Sequence, residues 1–263
     1  MAEYQSWQEA IFGAVRSRSF PLSVKFLREG EEFPLEARRP GKVLGKRITI
    51  CQAITMARIY GWAVGLDRSD IICVPAVLAW GMSGAQDARK EMISLMLSVG
   101  FAQNEDVALS QIKSMILPRE GEISGITMAP LAKTSWDFDV VVIYGNPAQI
   151  MRIVQALRYL RPEEISGDFQ GKIACVETLY AASATQKPRI SIPGMGDRIF
   201  SMTQDDELAI SLPVSYMPDL IKGLHDAGKP IGARYPVTFY QNFEPVFPKQ
   251  YQEVAERLKL FTS

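Results

Sequence analysis

The chain is poor in the side chains that most often carry catalysis and metal binding. Its 263 residues include one histidine and three cysteines. A single imidazole excludes any mechanism that needs two, and three scattered thiols exclude a disulfide-stapled scaffold. An excess of charge is also missing, because 29 Lys and Arg balance 29 Asp and Glu. We therefore expect no nucleic-acid partner, since binding to phosphates requires an excess of basic side chains.

Long hydrophobic runs are absent as well. The longest apolar stretch, residues 71–82, is about half of the ~20 residues that a membrane-spanning helix needs, and Pro75 interrupts it. Residues 1–10 have neither the basic start nor the apolar core of a secretory signal. The sequence therefore predicts a soluble, cytoplasmic protein without a membrane partner, in which the thiols stay unpaired.

The familiar motifs of nucleotide and metal enzymes are missing too. There is no GxGxxG after a strand, no HExxH, no CxxC and no GxSxG. Residues 41–47 resemble a phosphate-binding loop, but the spacing is one residue short and Arg47 replaces the hydroxyl residue that would hold magnesium. His225 lies near a predicted helix end, where we interpret it as a surface residue.

Composition and patterning nevertheless indicate a folded chain. Hydrophobic residues make up 47% and charged residues 22%, which excludes general disorder. Short β-branched runs alternate with amphipathic segments, and the middle of the chain is rich in predicted helix. We predict a mixed α/β (α+β) fold, with a mixed sheet flanked by helices in a single globular domain over 1–263. It divides most naturally into two lobes, 1–120 and 121–263, and no fixed-period repeat is visible.

The clearest local signal is a strand followed directly by a helix. Residues 140–144 are typical of a buried strand, Gly145 turns the chain, and Asn146 and Gln149 have the spacing of a capping box before a helix at 147–160. The other predicted strands cover 22–27, 48–50, 123–128 and 207–212, with 138–139 leading into the buried strand. The other predicted helices cover 4–15, 51–60, 75–80, 85–99, 104–117, 176–182, 215–227 and 248–260.

The three cysteines share a local setting although they are far apart in sequence. Cys51, Cys73 and Cys175 each lie at the start of a predicted helix. Free amides and the positive end of the helix dipole favour a thiolate there, and the thiolate is the form that ligates metals or attacks substrates. We predict a shared site that binds an iron–sulfur cluster or a metal. The alternative is that each cysteine is a small buried hydrophobic residue.

A glycine-rich loop at 192–198 is a second place of interest. Two glycines flank Met195, which is typical of a tight turn or of close approach to a bulky group. We predict that the loop lines the same cavity and that Arg198 there, with Arg58, holds an anionic substrate. The competing interpretation is a plain surface turn.

Several short runs together resemble one family, the domain of unknown function 169 family of bacteria and archaea. They are Ser23-Val24-Lys25-Phe26-Leu27, Cys51-Gln52-Ala53-Ile54 with Ala57, Arg58 and Gly61, Cys73, Ala129-Pro130-Leu131, Asp139-Val140-Val141-Val142, Gly145-Asn146-Pro147-Ala148-Gln149, Gly196-Asp197-Arg198 and Asp206-Glu207-Leu208. The resemblance implies no settled activity, but it implies that the three thiols belong to a recurring set. The resemblance also implies that similar chains often carry a further cysteine where this one has Gly194 or Met195, and this departure leaves either a three-thiolate site or no cluster site here.

Two classes of function follow from these observations. The first is a metal- or cluster-bearing protein with redox or Lewis-acid chemistry and a redox partner, in which Cys51, Cys73 and Cys175 are the ligands. In that hypothesis Met195 or a non-protein group takes the fourth position. The alternative is a non-catalytic module that binds an acidic small molecule or a partner at the helix start beside Asn146. The sequence leaves open whether the protein is an enzyme and whether it forms a homo-oligomer.

Overall fold

One mixed β-sheet organises the described part of the chain. The computed structural model describes residues 2–167, 169–237 and 249–260. Within them the strands run in the order β2-β3-β1-β4-β7-β6-β5, antiparallel except for the parallel pair β5 and β6. Their bounds are β1 (Leu22–Leu27), β2 (Val64–Asp67), β3 (Gly125–Pro130), β4 (Val140–Gly145), β5 (Ser166–Gly167), β6 (Arg189–Ser191) and β7 (Leu208–Pro213). The predicted mixed α/β fold is confirmed, and both predicted lobes contribute strands to this sheet.

Helices cover both faces of the sheet. Their bounds are α1 (Ala2–Val15), α2 (Pro40–Val43), α3 (Ile50–Arg58), α4 (Val74–Ala79), α5 (Ala88–Ser98), α6 (Glu105–Ser114), α7 (Pro147–Leu160), α8 (Ala174–Leu179), α9 (Ala181–Thr185), α10 (Met195–Phe200), α11 (Met217–Asp226) and α12 (Lys249–Arg257). Among the described residues, none of the helices has both the length and the apolar character that crossing a bilayer demands.

The two faces bury different side chains because successive residues of a strand point in opposite directions. On one face Val24 and Phe26 of β1 pack with α3, α4, α5, α6 and α8. On the other face Val141 and Ile143 of β4 pack with α1, α7 and α11. The three helices that carry cysteine therefore all lie on the first face.

The strand pairing repeats about the centre of the sheet. β1 pairs with β3 so that Leu22 lies opposite Pro130, and β4 pairs with β7 so that Val140 lies opposite Pro213. β1 and β4 are themselves antiparallel neighbours. Each half of the sheet therefore has an inner strand whose first residue faces the final proline of the next strand outward.

The turns after β3 and β7 repeat the same arrangement. Each strand leads into a short 3-10 turn, whose first amide donates a hydrogen bond back to the residue that precedes the inner strand. The two bonds are Leu131 N–H to Pro21 O at 2.9 Å and Val214 N–H to Asp139 O at 3.0 Å. Because the connections between corresponding strands differ in length, the repeat has no fixed period, and the sequence alone does not reveal it.

Most predicted elements are present, with one clear correction. The strand at 22–27 and the helix at 147–160 have the predicted bounds. The predicted strand at 48–50 is wrong, because the Thr49 side chain accepts a hydrogen bond from Gln52 N–H at 3.0 Å and caps α3. Ile48 contributes only an isolated bridge to Ile71.

Three strands are missing from the sequence prediction because they are short. β2, β5 and β6 have four, two and three residues, too few to show an alternation of apolar and polar positions. At the end of the chain, α12 corresponds to the predicted helix at 248–260, of which residue 248 lies outside the described residues.

Candidate functional site

The three cysteines lie at helix starts, as the sequence predicts. Cys51 is the second residue of α3, Cys73 is the N-cap of α4, and Cys175 is the second residue of α8. All three belong to, or pack against, one hydrophobic cluster on the same face of the sheet. Cys175 is buried, whereas Cys51 and Cys73 are half-buried.

The helices that carry them bring the thiols together. α4 packs against α8, and α10 packs against both α3 and α8. The Cys51 thiol forms a hydrogen bond with the Cys175 thiol, and Cys73 is close enough to interact electrostatically with both. Three residues separated by up to about half the chain therefore meet in one place, which we call the thiol site.

The thiols of Cys51 and Cys73 favour the protonated form. The hydrogen bond with Cys175, then burial and the neighbouring charges, raise the pKa of Cys51 well above its ordinary value. Burial likewise raises the pKa of Cys73, although the amide of Ala76 acts against it. Desolvation and like-charge neighbours outweigh the helix starts. The sequence-based expectation that these positions favour thiolates is therefore wrong for Cys51 and Cys73 in the metal-free protein.

An aspartate completes the thiol site from α10. Asp197 is only 2% exposed, and its Oδ2 accepts a hydrogen bond from Gly194 N–H at 3.0 Å. Its Oδ1 is buried without a hydrogen-bond partner among the described residues. The carboxyl lies beside Cys51, and a Cβ added to the neighbouring Gly196 would lie 3.7 Å from the Cys51 Sγ. Burial raises the pKa of Asp197, although Gly194 N–H, the Cys51 thiol and the Arg58 guanidinium act to lower it.

Tyr144, at the end of β4, supplies a second unpartnered polar atom. Its side chain is fully buried, and its hydroxyl has no hydrogen-bond partner in the described part of the chain. Burial, followed by the nearby Asp197 carboxyl, raises the pKa of Tyr144 well above its ordinary value. A buried hydroxyl and a buried carboxylate oxygen without partners are costly unless something binds them.

Beneath the thiol site lies a buried ion pair. Arg58 is 1% exposed and Glu207 is 5% exposed, and the Arg58 Nη2 lies 2.8 Å from the Glu207 Oε2. The same nitrogen donates to Met202 O at 3.2 Å, and the guanidinium carbon stands 4.1 Å from the centre of the Tyr144 ring. Both terminal nitrogens of the guanidinium are engaged by Glu207 and Met202, and only the buried Nε has no hydrogen-bond partner among the described residues. Because the charge is already paired in the interior, the prediction that Arg58 holds an anionic substrate is not supported by its position.

The glycine-rich loop lines the thiol site through a residue other than the predicted ones. Met195 is 60% exposed, which is a poor position for a fourth ligand beside buried thiols. Arg198 donates from Nη1 to Gln204 O at 2.7 Å and approaches Asp205 at 3.5 Å near the surface. The helical turn of α10 thus directs Asp197 into the interior, while Met195 is exposed and Arg198 lies near the surface.

Asn146 does not join the thiol site. As predicted, it caps α7: its Oδ1 accepts from Gln149 N–H at 2.9 Å, and Gln149 Oε1 accepts from Asn146 N–H at 2.8 Å. The Asn146 side-chain amide also donates to the Tyr235 hydroxyl at 3.1 Å. Because α7 lies on the opposite face of the sheet and its cap is satisfied, nothing in this geometry favours an anion site there.

The metal-ligand geometry of a single ion is not preformed. Among residues 2–167, 169–237 and 249–260, no group of three or more His, Cys, Asp or Glu side chains is arranged to hold a metal ion. Metal binding by the three thiols therefore stays a prediction, and it requires the side chains to rearrange as they lose their protons.

Sequence reasoning missed three contributors to the site. Asp197 stands in the run Gly196-Asp197-Arg198 that carries the family resemblance, and its spacing from Gly194 is that of a helix cap. That spacing was the available signal. Glu207 also stands in a run that carries the resemblance, Asp206-Glu207-Leu208, but no capping spacing marks it. Its role and that of Tyr144 depend on contacts with residues that are distant in sequence.

Comparison with known sequences decides the family. The sequence model of the DUF169 family, described as uncharacterised ArCR, matches residues 11–223. The chain belongs to the DUF169 family. The matched range includes the three cysteines and Asp197, so the whole thiol site lies within the DUF169 domain.

One curated relative is an uncharacterised protein, MJ0308, of Methanocaldococcus jannaschii. It is 22% identical over 205 residues, which cover 77% of this chain and 85% of the relative. No solved structure shows significant similarity to the chain.

Proposed function

We propose that this protein holds an iron–sulfur cluster through Cys51, Cys73 and Cys175. The observation that carries the proposal is the convergence of three thiols, from three helices far apart in sequence, beside a buried carboxyl. Soft thiolate donors select iron–sulfur clusters and thiophilic ions over hard cations. Three thiolates would leave one cluster position for another ligand.

The charge arrangement of the thiol site suits a cation. Three thiols and a carboxyl become a concentration of negative charge once they ionise, while the nearby Arg58 guanidinium is already paired with Glu207. In the metal-free protein the raised pKa values of Cys51 and Cys73 avoid this repulsion by keeping the protons. A bound metal centre would replace the protons, since metal ligation by thiols is coupled to their deprotonation.

A single ion and a cluster place different demands on the three thiols. A single zinc ion needs its sulfur ligands at ~2.3 Å, and the described residues contain no such preformed group. A cluster is larger and distributes its thiolate ligands over several iron atoms. The thiols of Cys51 and Cys175, which are in contact, would therefore have to move apart to bind different iron atoms.

The protein's own contribution would be to hold and shield this centre. The apolar residues around Cys175 exclude water, while half-buried Cys73 gives the site an edge towards solvent. The cluster would supply electron transfer to a redox partner or a Lewis-acidic iron.

Anaerobic reconstitution tests this proposal. Protein purified under nitrogen and incubated with ferrous iron, sulfide and a reductant is expected to turn brown and to bind about four irons per chain. Cys51→Ala is expected to lose most of the iron and the visible absorption. Met56→Leu, on the same helix but with no thiol removed, is the matched control and should bind as the unmodified chain does. A folded, monodisperse, colourless and iron-free product would contradict the proposal.

The contact between the Cys51 and Cys175 thiols favours a second candidate, a dithiol–disulfide redox pair. Oxidation by a peroxide would form one S–S bond, and the two thiol protons and two electrons would reduce the peroxide to water. In the metal-free protein, mild peroxide is expected to leave only the Cys73 thiol titratable. A protein that keeps all three thiols free, or forms only linked dimers, would exclude this candidate.

A further inference from the structure

The carboxyl of Asp197 is half used by the protein. Gly194 N–H donates a hydrogen bond to Oδ2 at 3.0 Å and holds that oxygen at the start of α10. Oδ1 is buried and unpartnered in the described part of the chain, and the side chain is 2% exposed. One oxygen is therefore positioned by the backbone, while the other has the Cys51 thiol beside it but no hydrogen-bond partner of its own.

The neighbours of this oxygen are the residues of the thiol site. Cys51 lies beside the carboxyl, α10 packs against α3 and α8, and the unpartnered Tyr144 hydroxyl lies in the same buried region. We propose that Asp197 is the fourth protein ligand of the cluster, bound to one iron through Oδ1. This inference rests on the proposed function and adds the ligand that the three cysteines lack.

The geometry matches the way proteins prepare metal-ligating carboxylates. A ligating carboxylate is normally oriented by a hydrogen bond to its other oxygen, as Gly194 N–H orients Asp197. The Tyr144 hydroxyl is available as a donor in the same region, and its ring is held against the Arg58 guanidinium at 4.1 Å. Tyr144 is thus a positioning residue in this arrangement.

An oxygen ligand gives one iron a different chemistry from the other three. Carboxylates are hard donors, whereas iron–sulfur clusters are mostly held by soft thiolates. The iron bound to Asp197 is therefore the one that exchanges most easily and is open to an exogenous ligand. Met195, which sequence analysis places at the fourth position, is 60% exposed and leaves that role to Asp197.

Two substitutions test the assignment. Asp197→Asn keeps the size of the side chain and an oxygen for Gly194 N–H, but it removes the anionic ligand. Asp197→Cys replaces the oxygen donor by a fourth thiolate. Each variant and the unmodified chain are reconstituted anaerobically, and iron and sulfide per chain, the absorption spectrum and the electron paramagnetic resonance spectrum are recorded. Circular dichroism verifies folding.

The expected result is a selective loss of one iron. The unmodified chain should hold about four irons, Asp197→Asn about three with the paramagnetic signal of a three-iron cluster, and Asp197→Cys about four with an altered spectrum. An Asp197→Asn protein with the iron content and spectra of the unmodified chain would overturn the ligand assignment and leave the cluster proposal standing. If Asp197→Asn does not fold, an unaltered spectrum of Asp197→Cys overturns it. An unmodified chain that takes up no iron overturns both proposals.

Discussion

Replacing Glu207 by alanine is expected to destabilise the protein by about 3–5 kcal/mol, because it leaves the buried Arg58 charge without its partner. The two side chains form two hydrogen bonds, at 2.8 and 3.3 Å, and neither can reach solvent. The measurement is urea-induced unfolding of the reduced, metal-free protein, followed by circular dichroism.

The chain contains a matched control for this prediction. Arg161 pairs with Asp219 at 2.6 Å, and its guanidinium carbon stands 4.0 Å from the Tyr216 ring centre, as that of Arg58 stands over Tyr144. Both partners are about a third exposed, so Asp219→Ala should cost no more than about 1 kcal/mol. Equal losses for Glu207→Ala and Asp219→Ala would contradict the assigned role of burial.

The double variant Arg58→Met/Glu207→Leu separates the ion pair from the space it fills. Removing both charges leaves no unpaired group, so this variant should be more stable than Glu207→Ala alone. Because Arg58 also supports the Tyr144 ring and lowers the pKa of Asp197, the double variant should still alter the iron uptake of the thiol site.

The second large effect is a loss of stability at alkaline pH. The pKa values of Cys51 and Cys73 are raised in the folded protein, so the folded chain keeps these protons after the unfolded chain has lost them. Their contribution is complete below the ordinary thiol pKa of 9.0 and is lost as the pH rises above it. Loss of the Cys51 contribution should cost about 1.4 kcal/mol of unfolding free energy at pH 10, and half-buried Cys73 adds a smaller cost of the same sign.

Urea unfolding of the reduced, chelator-treated protein between pH 7 and pH 10 measures this loss. Tyr144 and Tyr180 also have raised pKa values, the latter at about 12, and contribute as the unfolded chain loses their protons. Cys51→Ala retains both tyrosines. The difference between this variant and the unmodified chain therefore excludes the contribution of the tyrosines. The pH dependence of this variant should be shallower than that of the unmodified chain by about 1.4 kcal/mol at pH 10. Parallel curves would show that Cys51 titrates normally in the folded protein.

The elements that sequence analysis predicted correctly are those with local signals. The strand at 22–27 and the helix at 147–160 have continuous apolar patterns, and the helix adds a cap and a proline at its start. The starts of α3, α4 and α8 can also be predicted from the neighbouring residues. For this reason the sequence places the three cysteines correctly at helix starts. Pairing of β2 and β6 depends on partners that are distant in sequence, so these strands could not be found.

The residues around the thiols show the same limit. Arg58 on an amphipathic helix is typical of a surface cation, and only the contact with Glu207, 149 residues away, makes it a buried one. The pKa values of Cys51 and Cys73 depend on burial and on neighbouring groups from other helices. These effects outweigh that of the helix starts, which is the one that the sequence displays. Asp197 is recognisable in the sequence as part of a motif. That its side chain points inward follows only from the packing of α10 against α3 and α8.

In this fold the paired strands and the residues with donor atoms lie on different parts of the chain. The inner and outer strands of both halves supply the matched registers, whereas Cys51, Cys73, Cys175 and Asp197 all lie on connections between strands. A substitution on one of these connections leaves the backbone hydrogen bonds between the strands in place. Distant members of the family can therefore conserve the whole sheet while gaining, losing or exchanging individual donor atoms, and a shared architecture among them need not mean a shared reactivity.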